Sequence, residues 1–404
     1  MIQSRDHKRT DAISTPRAHI QHDFLAPPQA DQLEVTLIGP GYGECAVVHI
    51  GNGEWIVMDS CVNVHTGRAM ALEYFETLGV PLSSVRMVLL SHWHDDHIRG
   101  ITEILERCSA ATIACPAAIG ENQVREFIRA QALLRSQRTT SGADEIAAAL
   151  SVIKARAKTN QVQFAQGTAR LLMVPRDTPW NCEVWSLSPS AAEYARFISS
   201  LGRLMPKSGG TMQRLPAPQP NDLAVAAWLR VHNPGGSEIN LLFGSDLEED
   251  GNPATGWSAV VSSSTRPTGM ASVFKVAHHG SITGHHDGVW STMLRVAPWA
   301  ILTPFQTGQM LPTKSDLRRI YGMAPQSYVS SDPTVRQRPS KVSSVVDKTL
   351  KSMGVELVPD QLPPGRITLR NRGLATMDEW EVNLGGAARS LRQVLDGLES
   401  EPAT

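Results

Sequence analysis

The feature that most constrains the fold is a group of ligand-type residues directly after an apolar strand. VRMVLLS (85–91) is the continuous apolar run typical of a buried parallel strand, and SHWHDDHIRG (91–100) follows it. Four side chains share HxHxDH spacing there: His92, His94, Asp96 and His97. Alternate residues of an extended loop point the same way, so the first two histidines can hold one metal ion. The Asp–His pair, a turn further on, can hold a second.

The charge balance limits the ligands that this chain can bind. Its 38 Lys and Arg residues face 39 Asp and Glu residues, a formal net charge of -1. Bulk charge therefore does not attract nucleic acid, although a local basic groove remains open. The apolar runs are far shorter than the roughly 20 residues of a membrane-spanning helix, and the polar N-terminus lacks a signal-peptide core. We expect a cytoplasmic protein with reduced cysteines and no membrane partner.

The composition and apolar pattern of the sequence suggest three regions. Residues 1–32 are predicted to form a flexible N-terminal arm, 33–310 the main domain, and 311–404 a C-terminal extension packed on the core. A helical insertion is expected at about 119–165. A Pro- and Gly-rich loop or lid is expected at about 203–222, before a β-hairpin.

The HxHxDH motif after a strand resembles the metallo-β-lactamase fold superfamily. The resemblance implies an α/β fold, a four-layer αβ/βα sandwich with a two-metal site along one edge. Five further motifs are similar, in the same order, to those of the metallo-β-lactamase domain of the competence protein ComEC: GYGE (41–44), MDS (58–60), NDLAVAAWL (221–229), FGSD (243–246) and KVAHHGS (275–281). Together they cover roughly residues 33–310.

The resemblance also implies roles for individual residues. The expected metal ligands are His92, His94, Asp96, His97, Asp246 and His279. They would bind two divalent ions, with Zn²⁺ favoured and Mn²⁺ or Fe as alternatives. Asp246 would bridge the ions, and His278 would transfer a proton, although the two adjacent histidines can exchange roles. The catalytic residues would be His278, Asp246 and Asp96. Residues around the ligands or the substrate would be Asp59, Asn221, Asp222, Lys275 and Ser281.

Two positions depart from the family pattern. Many members carry another histidine ligand between the first motif and the bridging Asp, and the candidate here is His232. It lies at the hairpin tip, roughly 25 Å from Asp246 at about 3.3 Å per strand residue, so we expect it outside the site. The second position is Arg99, where Gly is usual. Its side chain is either solvated or a cation that meets a phosphate at the site mouth.

These residues predict a binuclear metal-dependent hydrolase. A hydroxide bridging the metals would attack, and the favoured substrate is a phosphodiester of nucleic acid or of a nucleotide. The alternatives are an ester, lactone or thioester hydrolase on the same scaffold, or a weakly catalytic binding or regulatory subunit. The sequence leaves protein partners and oligomeric state open.

Overall fold

The computed structural model describes most of the chain. The described residues are 24, 26–135, 142–174, 180–204, 220–232, 237–306, 310–334, 363–373 and 379–400. Most of the predicted arm (1–32) and most of the predicted lid (203–222) lie outside them. Among the described residues, no helix is both long enough and apolar enough to cross a bilayer.

The chain forms sixteen β-strands within the described residues. In chain order they are β1 (Glu34–Gly39), β2 (Cys45–His49), β3 (Trp55–Met58), β4 (Val85–Leu89), β5 (Thr112–Pro116), β6 (Val162–Ala165), β7 (Ala169–Val174), β8 (Asn181–Ser186), β9 (Ala227–His232), β10 (Glu238–Phe243), β11 (Ala271–Lys275), β12 (Leu294–Leu302), β13 (Ser327–Val329), β14 (Gly365–Asn371), β15 (Trp380–Gly385) and β16 (Arg389–Ser390). The buried strand predicted at 85–91 is confirmed as β4, and the predicted hairpin is confirmed as β9 and β10.

The strands make two sheets of eight. The first has the order β15-β14-β1-β2-β3-β4-β5-β6, and the second β16-β13-β12-β11-β10-β9-β8-β7. In the first sheet, β3, β4, β5 and β6 are parallel neighbours. In the second, β10, β11, β12 and β13 are parallel. Parallel strands end at a common edge, so the loops that follow them lie together.

Ten α-helices flank the sheets in the described part of the chain. They are α1 (Met70–Leu78), α2 (Asp95–Ile98), α3 (Ile101–Arg107), α4 (Asn122–Arg135), α5 (Gly142–Ala157), α6 (Ala191–Leu204), α7 (Gly256–Ser262), α8 (Asp287–Thr292), α9 (Lys314–Met323) and α10 (Leu391–Ser400). The helices α4 and α5 lie where the sequence predicts a helical insertion. The helices α2 and α3 are separate, because Arg99 and Gly100 leave helical geometry between them.

Three apolar clusters hold these elements together. One fills the space between the two sheets, with residues such as Leu37, Val48 and Leu229. A second packs α1, α3, α4 and α5 on the outer face of the first sheet. The third packs α7, α8, α9 and α10 on the outer face of the second sheet. The result is the four-layer αβ/βα sandwich predicted above.

The C-terminal region contributes strands to both sheets. The strand β14 pairs with β1 along six residues, and β15 extends the same edge. The strand β13 continues the parallel part of the second sheet, and β16 pairs with β13. Residue 310 therefore does not mark the end of either sheet, and the segment beyond it is more than a layer added to a finished core.

Candidate metal centre

The candidate ligands lie in loops that follow the parallel strands. The HxHxDH segment follows β4, Asp246 follows β10, and His279 follows β11. Asp59 follows β3 and Thr303 follows β12. The edge of the sandwich thus collects, from five loops, residues up to 244 positions apart in the chain.

Two groups of side chains share Asp246. His92 and His94 form the first group with it. The Nε2 atom of His92 lies 3.1 Å from Nδ1 of His94 and 3.9 Å from Oδ2 of Asp246. Ligand atoms of these three residues lie within 4.8 Å of one another. This spacing suits a metal ion held by two imidazoles and one carboxylate oxygen.

The second group surrounds the Nε2 atoms of His97 and His279. The His97 atom lies 3.3 Å from Oδ1 of Asp246 and 3.6 Å from Oδ2 of Asp96. The His279 atom lies 3.1 Å from Oδ2 of Asp96 and 3.5 Å from Oδ2 of Asp246. The six ligands expected from the sequence are therefore adjacent.

Two atoms at the centre of these groups lack hydrogen bonds. Nε2 of His97 and Oδ1 of Asp246 are both buried, and neither has a partner of acceptable geometry among the described residues. Buried polar atoms without a partner are rare in folded proteins, and a bound ion is one way in which such atoms are satisfied. The donor set of imidazoles and carboxylates therefore fits a divalent metal.

The buried charges point the same way. The carboxyl groups of Glu44, Asp59, Asp96 and Asp246 are each at most 4 % exposed, and the single ammonium among them belongs to Lys275, at 2 %. When all four are ionised and the histidines are neutral, as metal binding requires, the cluster holds an excess of three negative charges away from water. Burying such an excess is costly unless cations compensate it. Two divalent ions would do so.

The pKa values of the histidines are shifted in opposite directions in the two groups. Burial lowers the pKa of His97, but the surrounding carboxylates, led by Asp246, outweigh this and hold it well above its usual value. The same balance raises the pKa of His279 to about 10. For His92, burial and the neighbouring imidazoles of His97 and His94 hold the pKa well below its usual value. His92 is thus in the neutral form that binds metal, whereas an ion at His97 and His279 must displace a proton.

Asp59 orients the first loop. Its carboxylate accepts hydrogen bonds from the backbone N–H and Oγ of Ser91, at 2.7 and 2.6 Å. It also accepts one from Nδ1 of His97 at 2.8 Å. This bond directs Nε2 of His97 toward Asp246 and fixes the tautomer, as acidic residues do for metal-binding histidines. Asp59 therefore lies behind His97, where the resemblance places it.

Glu44 and Thr303 are site residues that the sequence reasoning missed. Oε1 of Glu44 lies 2.5 Å from Nζ of Lys275, and Oε2 accepts a hydrogen bond of 2.6 Å from Oγ1 of Thr303. The backbone oxygen of Thr303 lies 3.2 Å from Nδ1 of His279. Glu44 can also be grouped with ligand atoms of His97, Asp246 and His279, but the Lys275 ammonium already neutralises it. The GYGE motif was the available signal for Glu44.

Glycine at position 43 brings the GYGE loop against the HxHxDH loop. Gly43 has a φ of +113°, and a Cβ there would lie 2.8 Å from the Cβ of Cys61. The next residue, Glu44, donates its backbone N–H to the backbone oxygen of Asp96 at 2.8 Å. A side chain at position 43 would therefore push apart two loops that carry site residues.

His278 and His279 point in different directions because of their backbone. Both have left-handed conformations, with φ of +47° and +52°. Such values are strained for non-glycine residues and cluster at functional sites. His279 is buried at the ligand cluster, whereas Nδ1 of His278 lies 2.9 Å from Oε1 of Glu248 and 2.8 Å from Oγ1 of Thr283. This geometry favours His279 as the ligand.

The other residues selected from the sequence are only partly brought together. Asn221 and Ser281 line the cleft beside the ligands, whereas Lys275 is buried behind them. Asp222 pairs with Arg196 at 3.0 Å and is absent from the cleft lining. His232 ends β9 opposite Glu238, at the end of the hairpin away from Asp246.

A cleft of about 530 Å³ opens over the cluster. Its floor contains His94, Asp96, Asp246, His278 and His279. The rest of the described lining is Tyr42, Asp95, Asn221, Glu248, Ser281, Ile282, Thr283, Phe305 and Leu311. This volume is typical of a pocket for a small-molecule ligand.

Parts of this chain are similar to known proteins. Residues 38–160 match the family model described as metallo-beta-lactamase superfamily, in agreement with the fold. Among solved structures, the metallo-β-lactamase SMB-1 bound to 2-mercaptoethanesulfonate is similar at 15 % identity and a TM-score of 0.32, covering 64 % of this chain and 82 % of its own. MEM-A1, a subclass B3 metallo-β-lactamase from a soil metagenome library, is similar at 14 % identity and 0.31, covering 64 % and 84 %. No curated protein gives a significant match.

Proposed function

We propose that this protein is a binuclear metal-dependent phosphodiesterase that acts on nucleic acid or on a nucleotide. The observation that carries the proposal is the position of Asp246 between two groups of ligand side chains. A carboxylate shared in this way suits the two-metal arrangement of phosphatases and nucleases, which stabilises the attacking and leaving oxygens together. The similarity of five short motifs to the ComEC domain favours the phosphodiester.

The two metal positions would differ in their protein ligands. The first would be held by His92, His94 and Asp246. The second would be held by Asp96, His97, Asp246 and His279. Because the second is more completely ligated, we expect the first to lose its ion more readily. The donors favour Zn²⁺, with Mn²⁺ or Fe as alternatives.

The chain's own groups would handle the proton. Bound divalent ions lower the pKa of water and polarise a phosphoryl oxygen. Nδ1 of His278 can donate to Glu248, which leaves Nε2 as the ring atom that exchanges a proton with the leaving oxygen. Asn221 donates from Nδ2 to the same Glu248 oxygen at 3.2 Å and so holds the acceptor in place.

An ester, lactone or thioester hydrolase is the second candidate. The described lining of the cleft contains no lysine or arginine, and one wall is apolar. A polyanion would need lysine or arginine side chains to neutralise its phosphates, whereas a neutral carbonyl substrate would not. The lining therefore favours the second candidate over an enzyme that binds a polyanion.

The test is a parallel assay of metal-loaded protein. Metal content is measured by elemental analysis. Turnover is measured separately with three kinds of substrate: bis-p-nitrophenyl phosphate, a panel of esters, lactones and thioesters, and labelled DNA and RNA. Phosphodiester hydrolysis that depends on metal and on Asp246 supports the proposal, and Asp287→Ala, an exposed carboxylate outside the cleft, is the control. Turnover of esters alone would favour the second candidate. Metal binding without any turnover would favour a binding or regulatory subunit.

A further inference from the structure

We infer that the cleft selects a small phosphodiester in which one of the two esterified groups carries a planar ring and hydrogen-bond donors, as a nucleoside does. We also infer that it rejects long nucleic-acid strands. This inference rests on the proposed function and names its substrate more closely. It comes from the two unlike walls of the cleft and from the cations near its mouth.

One wall is aromatic and apolar. It consists of Tyr42, Phe305 and Leu311, which we call the aromatic wall. The rings of Tyr42 and Phe305 have centroids 5.6 Å apart, and Phe305 lies 5.3 Å from the ring of His279. A planar group of a substrate held at the ligands would lie against this wall.

Phe305 is held rigidly in that wall. Its backbone N–H donates to the oxygen of Leu311, and the N–H of Leu311 donates back, both at 2.9 Å. The pair forms an isolated antiparallel bridge directly after β12 and Thr303. A residue whose backbone is already fixed loses less conformational entropy when a flat group stacks on its ring.

The other wall offers hydrogen-bond acceptors. Asn221 is buried, and its Oδ1 has no hydrogen-bond partner among the described residues. Glu248 lies beside it, with a side chain that is 38 % exposed, and accepts a hydrogen bond from Nδ2 of Asn221. Acceptors of this kind pair with the N–H and O–H donors of a base or a sugar. Apolar surface facing acceptors is what a nucleoside requires, whereas a simple alkyl group would leave the acceptors unpaired.

Two arginines beside the cleft, in the described part of the chain, are already engaged. The guanidinium of Arg99 lies over the ring of Tyr42 at 5.4 Å and 3.4 Å from Asp95. Arg319 donates to the backbone oxygen of Gly280 and pairs with Asp316 at 2.7 Å. The additional phosphates of a nucleic-acid strand would lie near the carboxylates of Asp95 and Glu248. The described lining contains no lysine or arginine to neutralise them. Strand binding depends on such neutralisation, so a long polyanion is disfavoured.

The first experiment compares two diesters with the same leaving group. Metal-replete protein is assayed with thymidine 5′-p-nitrophenyl phosphate and with methyl p-nitrophenyl phosphate. We expect a ratio of kcat/KM of about tenfold in favour of the thymidine ester, within the range of about 5- to 150-fold that base–aromatic stacking gives. Phe305→Ala should reduce this ratio toward one, and Phe305→Tyr should retain it. Phe164→Ala, an exposed phenylalanine on β6, is the matched control and should leave the ratio unchanged.

The second experiment measures binding without turnover. Calorimetry with thymidine 5′-monophosphate and with 2-deoxyribose 5-phosphate should show tighter binding of the nucleotide. Phe305→Ala should remove this difference in affinity between the two ligands. If the substitution leaves the ratio of their dissociation constants unchanged, the role of the aromatic wall is wrong. In a third arm, a thymidine dinucleotide should have a higher kcat/KM than a long single strand of DNA, and the reverse order would overturn the rejection of strands.

The failures of the two proposals are distinguishable. If methyl p-nitrophenyl phosphate is hydrolysed and the thymidine ester is no better, the phosphodiesterase stands and the inference about the cleft is wrong. If metal-replete protein hydrolyses neither diester, the proposed function itself is wrong.

Discussion

Replacing Lys275 with methionine should destabilise the protein through a buried carboxylate cluster. Lys275 is 2 % exposed, and its Nζ lies 2.5 Å from Oε1 of Glu44 and 3.2 Å from the backbone oxygen of Ser245. Burial lowers the pKa of this ammonium, but Glu44 and Asp246 more than offset it, so the pKa is raised and Lys275 is charged at neutral pH. Methionine keeps much of the volume and removes only the charge and the donors.

The size of the effect follows from the geometry. Two unit charges 2.5 Å apart attract by about 7 kcal/mol at an effective dielectric constant of about 20. Removing one partner loses this attraction but also removes the desolvation of one ion. Measured losses for breaking one side of a buried pair are about 3–5 kcal/mol, and we expect Lys275→Met in that range. The remaining Glu44 carboxylate would then keep only the more distant rings of His97 and His279, 3.6 and 3.9 Å away, to offset its charge.

The assay is a double-mutant cycle by urea unfolding in the presence of a chelator. Lys275→Met, Glu44→Gln and the double variant are compared with the wild-type protein. The double variant should regain at least about 2 kcal/mol of the summed losses, since it leaves no unpaired charge. Adding Zn²⁺ should reduce the deficit of Lys275→Met, because bound cations compensate the same carboxylates.

Two results would refute this reasoning. A coupling energy below about 0.5 kcal/mol would mean that Lys275 and Glu44 contribute independently. A deficit that is the same with Zn²⁺ and with chelator would mean that the buried carboxylates and the metal are not energetically linked.

Four further outcomes are expected. Asp246→Ala should abolish hydrolysis and lower the bound metal while the far-ultraviolet circular dichroism stays native, because the residue lies on a loop at the sheet edge. His278→Ala should keep most of the metal but slow turnover by about 10²-fold or more, the scale of a lost general acid or base; loss of its metal instead would assign it as a ligand. His232→Ala should change neither, and a loss of activity would contradict the hairpin geometry. Chelation should release one ion before the other and lower the unfolding temperature, which titration calorimetry and thermal melts measure.

Local motifs made much of the fold and the ligand set predictable. The HxHxDH segment follows a strand in one continuous stretch, so its spacing alone brings His92 and His94 together. The continuous apolar run before it predicts a buried strand, and β4 lies there at Val85–Leu89. Neighbours in sequence are necessarily neighbours in space, and a pattern of a few residues therefore suffices.

Tertiary structure decided the rest, because the remaining contacts join distant parts of the chain. Lys275 meets Glu44 across 231 positions, and no local pattern marks either as the other's partner. Phe305 and Tyr42 form one wall only because β12 and the GYGE loop end at the same edge. The strand β14 pairs with β1 although the two are separated by most of the chain. The apolar periodicity of a strand indicates which of its faces is buried. Which strand pairs with it is decided by the packing of both sheets around one core.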